Sequence, residues 1–177
     1  MIQGRVRVLD KFIADIIQYS RNTRLELVCE TIMLQQHINE VVDGLRFNDG
    51  VQEIEFRINI PSGITLVTDP VRLRMVLNNL VSNAVRYHDK LKEKQFIEID
   101  YQSGNPHLEI SVKDNGQGIR PEHLDKIFDM FYRTASSTGG SGLGLYIARE
   151  AAMRMGGSIS VRSVYGKGST FSLLLPV

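Results

Sequence analysis

The sequence predicts a two-layer α/β sandwich: a mixed, mostly antiparallel sheet with helices on one face, preceded by an N-terminal helix. Two patterns carry this prediction. Runs at 53–60, 96–101, 108–112, 158–164 and 170–175 alternate apolar with polar residues, the period of a strand buried on one face. Segments at 6–17, 33–47, 70–87 and 143–155 instead repeat apolar residues every three or four positions, as amphipathic helices do. Helices interleaved with such strands pack as layers of α on β. A chain of 177 residues, 42% hydrophobic and 23% charged, suffices for one core.

Residues 6–17 set Val6, Leu9, Phe12, Ile13, Ile16 and Ile17 at helical spacing with Asp10, Lys11 and Asp15 between them, an amphipathic helix that lacks its partner. After the polar stretch 19–24, the LELV of 25–28 is a short strand candidate. Leu34, Ile38, Val41, Val42 and Leu45 mark a second amphipathic helix, which the turn-forming Asn48-Asp49-Gly50 ends. Ile54, Phe56, Ile58 and Ile60 alternate along the next strand, and Pro61-Ser62-Gly63 separates it from another at 64–67. Asp69 before Pro70 is a helix start: the carboxylate can accept from free backbone N–H groups, and proline's fixed φ suits the first helical position. That helix runs to about Tyr87. Between the later strands come a short helix at 121–131, a Ser/Thr/Gly stretch at 134–142 and a helix from Leu143 to Met155.

The net charge is +1 and no stretch concentrates Lys or Arg, which points away from nucleic acid and from an anionic membrane surface as partners. Cys29 is the single cysteine, so there is no internal disulfide framework and no cysteine pair for a metal. It reads as a small apolar residue in a reducing compartment, and a cytoplasmic location is expected. No apolar run approaches the roughly 20 residues that cross a bilayer.

Three motifs carry chemistry. Asn79, Asn83 and Arg86 share one face of the third helix, opposite Leu73, Val76, Leu77, Leu80 and Ala84. Amide oxygens suit a hard cation and the guanidinium suits phosphate, although the same residues make an ordinary solvated face. Asp114-Asn-Gly-Gln-Gly-Ile119 follows a strand, and its glycines permit positive φ and close approach of a ligand. Asp114 at its base could accept from an exocyclic amine, and a plain strand-to-helix turn has the same letters. Gly139-Gly-Ser-Gly-Leu-Gly-Leu145 opens a helix, offering free N–H groups to an anion or a hinge to a mobile lid. It lacks the preceding strand and the GxGxxG spacing of a dinucleotide fold, and no GxxxxGK[ST] loop is present.

In chain order, NLVSNAVRY at 79–87, DNGQGI at 114–119, IFDMFYR at 127–133, GSGLGLYIA at 140–148 and GKGSTFSLLLP at 166–176 resemble the N, first glycine, F, second glycine and final glycine boxes of sensor histidine kinases. Over roughly residues 25–177 the chain is similar to the C-terminal catalytic and ATP-binding domain of that family. The resemblance implies the Bergerat sandwich shared with type II topoisomerases, Hsp90 chaperones and MutL repair ATPases. It also implies ATP and Mg²⁺ as cofactors. Asn83 is then the metal ligand, assisted by Asn79, with Arg86 near the phosphates and Tyr87 and Ile119 bordering the nucleotide. Asp114 hydrogen-bonds the adenine amine, while Gly116 and Gly118 let backbone approach the base. Phe128 and Phe131 anchor a lid, and Arg133 contacts the γ-phosphate. Gly140, Gly142 and Gly144 present N–H groups to the triphosphate, with Ser141, Leu143 and Leu145 in the same loop and Thr170 in the final box. Asn79, Arg86 and Arg133 are the catalytic candidates.

Hydrolysing members of this fold carry Glu as general base where this chain has Asn79, and an amide cannot take that proton. The implied reaction is phosphoryl transfer to a histidine imidazole, itself the nucleophile, with slow hydrolysis. None of His37, His88, His107 and His123 stands in the acceptor pattern; each reads as a surface or structural residue. DKFIADIIQYSR at 10–21 resembles the second dimerisation helix alone, giving residues 1–24 to that region and 25–177 to the ATP-binding domain. The implied partners are the dimerisation and phosphoacceptor region of a homodimeric parent and a response regulator. Thr134 to Gly139 forms a short lid without bulky residues. An anti-sigma-type serine kinase and a nucleotide-independent interaction module of the same fold are the competing readings.

Overall fold

The computed structural model describes residues 2–46, 51, 53–104, 106–134 and 140–176. Along them run α1 (Ile2–Arg24), β1 (Glu30–Met33), α2 (Leu34–Arg46), β2 (Ile54–Asn59), β3 (Thr65–Thr68) and α3 (Pro70–Arg86). There follow β4 (Gln95–Ser103), β5 (His107–Asp114), α4 (Pro121–Leu124), α5 (Gly144–Arg154), β6 (Ser158–Val164) and β7 (Gly168–Pro176). The turn predicted at 48–50 lies outside the described residues.

Five strands form one sheet in the order β2-β4-β5-β7-β6. The β2–β4 pair is parallel and the other pairs are antiparallel, as the alternation in the sequence predicts. α3 packs on β4 and β5, α5 on β6, β7 and α3, and α2 on α3. Ile97, Ile99, Ile110, Val112 and Leu173 from the sheet meet Leu73, Val76, Leu77 and Leu80 of α3 in one core. Ile147, Ala148 and Ala151 complete it from α5, where the two alanines allow close approach of the helix backbones. The opposite sheet face is polar: Lys113 pairs with Glu98 at 2.9 Å, and Arg57 lies 4.4 Å above the Phe96 ring.

Asp69 caps α3 as its position before Pro70 predicts, accepting from the Arg72 N–H at 2.9 Å. Its other carboxylate oxygen accepts from the Val28 N–H and pairs with the Arg72 guanidinium. Arg72 is buried, and it also donates to Asn22 Oδ1 and to the carbonyls of Asn22, Leu25 and Glu26. The Asn22 carbonyl is an orphan acceptor of the last turn of α1, and Leu25 and Glu26 belong to the segment that follows it.

This network corrects the strand expected at 25–28. Alternating Leu and Val suggest extended pairing there, but the carbonyls of Leu25 and Glu26 go to Arg72. The strand forms instead at β1, paired antiparallel with β3. Cys29, read as a small apolar residue, lies beside it and is exposed. The helix expected over 121–131 is only the single turn of α4; turns follow it, and Phe131 has φ 64°.

α1 docks along one face. Phe12 meets Phe131 with ring centroids 6.2 Å apart, Tyr19 meets Tyr146 at 5.8 Å, and Arg154 donates to the Thr23 carbonyl. Leu9, Ile13, Ile16 and Ile17 lie on its exposed face.

Candidate nucleotide-binding site

A cavity of about 220 Å³ opens between α3, the loop after β5 and the segment that joins α4 to α5, and a narrower one of about 70 Å³ adjoins it. Asn83, Tyr87, Arg133 and Leu145 line both, so the two are one cleft. The predicted loops thus converge: Asp114, Gly118 and Ile119 border the wide end, while Asn79, Arg86, Gly140, Ser141, Gly142 and Gly144 border the narrow end.

Asp114 ends β5 at the floor of the wide part and is 9% exposed. Burial pushes its carboxyl up from the ordinary value, opposed by the N–H groups of Gly116 and Ser169 and the charge of Lys92. Oδ1 accepts from the Gly116 N–H at 2.8 Å. A Cβ at Gly116 would stand 2.4 Å from the Tyr87 carbonyl oxygen, so this glycine lets the loop tuck under the end of α3. Gly118, at φ +66°, meets the Val164 carbonyl in the same way. The loop is thus held between α3 and the end of β6, and Gly116 is not among the lining residues. At the walls the Arg120 guanidinium stacks 4.3 Å from the Tyr165 ring centroid, and His123 Nδ1 lies 2.7 Å from Tyr132 Oη.

The narrow end has the character of an anion site. Arg86 is half-buried and makes no ion pair among the described residues, and a Cβ at Gly140 would come within 2.5 Å of its Nη1. Among the described residues no side chain caps α5, whose first-turn residues Gly144 and Leu145 line the cleft. Unbonded N–H groups and the positive end of the helix dipole therefore face it. Asn83 lines both parts of the cleft, and its side-chain amide makes no hydrogen bond among the described residues. Asn79 is more committed: its Nδ2 donates to the Met75 carbonyl at 2.9 Å. Its Oδ1 sits 2.8 Å from where a Gly144 Cβ would be. Gly142, at φ +75°, leaves no room for a Cβ against the Phe131 backbone, whose N–H donates to the Gly142 carbonyl.

Some predicted residues lie elsewhere. Thr170 pairs with Lys113 and Arg162 on the polar sheet face, while Ser169 and Phe171 line the cleft. Leu143 is buried in the core. Phe128 packs edge-on to Phe171, and Phe131 sits against Phe12, both outside the cleft lining. Residues 135–139 of the expected lid, Gly139 included, lie outside the described residues. Of the histidines, His37 is buried in α2 and His88 Nδ1 approaches the Val85 carbonyl, as structural residues do. His123, Arg120 and Tyr165 are lining residues that no local motif announces, and Tyr132 of the IFDMFYR motif joins them.

The chain belongs to the histidine kinase-, DNA gyrase B- and HSP90-like ATPase family, whose model matches residues 68–177. The relatives and solved structures it resembles within that family carry the names of sensor proteins and histidine kinases. It is 40% identical over 137 residues to the aerobic respiration control sensor protein ArcB of Escherichia coli K12, covering 75% of this chain and 16% of ArcB. It is 33% identical to the sensor-like histidine kinase SenX3 of Mycobacterium tuberculosis H37Rv, covering 95% of this chain and 42% of SenX3. The chain thus spans less than half the length of either relative. Among solved structures, the catalytic domain of histidine kinase ThkA superposes with a TM-score of 0.71 at 27% identity, covering 84% of this chain and 97% of ThkA's.

Proposed function

We propose that the cleft binds Mg-ATP with the base over Asp114 and the triphosphate along Arg86 and the N-terminus of α5, and that the γ-phosphoryl passes to a histidine imidazole. The observation that carries this reading is one continuous cleft with a buried carboxylate at its wide end and, at its narrow end, a guanidinium and a helix N-terminus that have no ion pair and no side-chain cap among the described residues. Asp114 accepts from the exocyclic amine through the oxygen that Gly116 leaves available, and Tyr87 and Ile119 border the base. Arg86 and Arg133 offset phosphate charge.

Among the described residues no three His, Cys, Asp or Glu side chains gather as a metal cluster. The Asn83 amide oxygen at the junction of the two parts fits a hard cation held largely by phosphate oxygens. Bound there, Mg²⁺ would supply neutralisation of the transferring group's charge. Asn79 cannot act as a general base toward water, so hydrolysis is slow and the nucleophile is the acceptor imidazole.

The exposed stripe Leu9, Ile13, Ile16 and Ile17 supports α1 as the second helix of a dimerisation and phosphoacceptor region, with residues 25–177 as the ATP-binding unit of a homodimeric, cytoplasmic kinase core. A response regulator is the onward acceptor. No helix among the described residues is long and apolar enough to cross a membrane.

Calorimetry tests the binding step: Mg-dependent ATP binding is lost in Asn83→Ala and Asp114→Ala, and wild-type affinity in both would sink the assignment. Transfer is tested by incubating the chain and Mg-ATP with a longer version that includes the preceding helix. Acid-labile, base-stable phosphate is the expected product, and acid-stable phosphate would point to a serine kinase.

A further inference from the structure

Lys92 belongs to none of the motifs, yet its ammonium group lies against the loop that carries Asp114. It sits in the turn between α3 and β4, where its own N–H donates to the Asp89 carbonyl. From there Nζ donates to the carbonyls of Asn115 at 2.5 Å, Gly116 at 3.2 Å and Lys167 at 3.4 Å. An ammonium has three N–H bonds, and three carbonyls from two loops take them.

Both loops build the wide end of the cleft. The first carries Asp114, Gly118 and Ile119; the second, between β6 and β7, carries Tyr165. Their backbones already touch: the Gly166 N–H donates to the Gln117 carbonyl at 2.7 Å. A Cβ at Gly168 would fall 2.0 Å from the Asp114 carbonyl oxygen. Asp114 is thereby pressed from behind by β7, and the two residues after it are pinned by Lys92. Asn115 repeats the theme on the other side, donating to the Lys94 carbonyl and accepting from the Phe96 N–H.

We infer that Lys92 is a positioning residue for base recognition, whose ammonium fixes the loop so that the Asp114 carboxylate meets the exocyclic amine of the purine. The inference rests on the nucleotide reading of the cleft. Burial works against an ionised Asp114, and the nearby positive charge of Lys92 works in its favour, which adds an electrostatic part to the mechanical one. Lys92 itself does not line the cleft, so it acts through Asp114 and not on the ligand.

The test compares the affinities of ATP and inosine triphosphate, which carries a carbonyl where adenine has its amine. Calorimetry is run on the unaltered chain, Lys92→Met, Lys92→Arg, Asp114→Ala and the double variant Lys92→Met/Asp114→Ala. Met keeps the apolar stem and removes the charge, and Arg keeps the charge with a different donor fork. Loss of charge-assisted hydrogen bonds at one site weakens ATP by about tenfold. The expected result is that this loss falls on ATP alone, compressing the preference for ATP over inosine triphosphate. Lys92→Arg recovers much of the preference, and Lys92→Met adds nothing on top of Asp114→Ala, because both act on one contact. Equal weakening of both nucleotides, or an unchanged preference in Lys92→Met, would overturn the inference. An unaltered chain that binds neither nucleotide defeats instead the reading of the cleft.

Discussion

The Ser141 hydroxyl donates to the Asp15 carboxylate, tying the glycine loop at the mouth of α5 to the middle of α1. The same oxygen accepts from the Leu143 N–H at 3.1 Å, so Ser141 sits between helix α1 and the loop that lines the phosphate end of the cleft. Asp15 is 3% exposed, which makes the loss of a donor there expensive.

Ser141→Ala leaves a buried carboxylate short of a donor and the Leu143 N–H short of an acceptor, at a cost of about 1–3 kcal/mol. Hydrogen exchange should quicken along α1 and residues 140–144 while β4 and β5 keep their protection. Uniform acceleration across the sheet would contradict a local role.

Asp114 trades stability for recognition. Its folded pKa is raised above the ordinary 3.8, so between those values the folded chain holds more protons than the unfolded one. Its contribution is therefore favourable in acid and lost as pH rises through the folded value. At pH 7 the ionised carboxylate is a cost. Asp114→Asn keeps an oxygen for the Gly116 N–H but removes the buried charge. It should melt above the unaltered chain at pH 7, lose that advantage as pH approaches about 4, and bind ATP poorly because its amide cannot accept at both positions.

Asp69 has the opposite sign. Burial alone would raise its pKa, but the N–H groups of Arg72 and Val28 and the Arg72 guanidinium outweigh burial and hold the carboxyl below the ordinary value. That stabilisation is present above the unfolded-state value of 3.8 and is lost as pH falls through the folded one. Thermal melts from pH 7 to 2 should show Asp69→Asn converging on the unaltered chain in acid. Arg72→Met strands the buried Asp69 charge and the carbonyls of Asn22, Leu25 and Glu26, and should cost about 3–5 kcal/mol.

Arg86→Met should weaken ATP by about ten- to a hundredfold, as expected for loss of a charge-assisted contact to phosphate, while leaving adenosine unaffected. Parallel titrations with the two ligands check this. A matching loss for adenosine would place Arg86 at the base and not at the phosphates.

Gly142→Ala forces a side chain into the left-handed region at about 1–2 kcal/mol, and its Cβ would meet the Phe131 backbone within 2.9 Å. The melting temperature should drop, and ATP affinity with it, because the loop that presents Gly140 and Ser141 must shift. A variant with unchanged affinity would show that the loop geometry is dispensable.

Local physics made much of this legible in the sequence. The Asp69-Pro70 cap, the shared face of Asn79, Asn83 and Arg86, and the glycines that open α5 are each written within a few residues. Thr170 fails for a different reason: in a strand, a phase error of one residue moves a side chain to the opposite face, and only pairing with β5 shows that Ser169 shares the face of Asp114. The LELV segment fails because Arg72, more than forty residues away, takes its carbonyls. Lys92, Arg120 and Tyr165 stand outside any motif, and the fold alone brings them to the cleft region.

Because the Arg72 guanidinium gathers carbonyls from the last turn of α1 and the residues just after it, and its backbone belongs to the first turn of α3, one side chain joins the two helices. Residues 22–26 thus meet, through a single guanidinium, the first turn of the helix that carries Asn79 and Asn83.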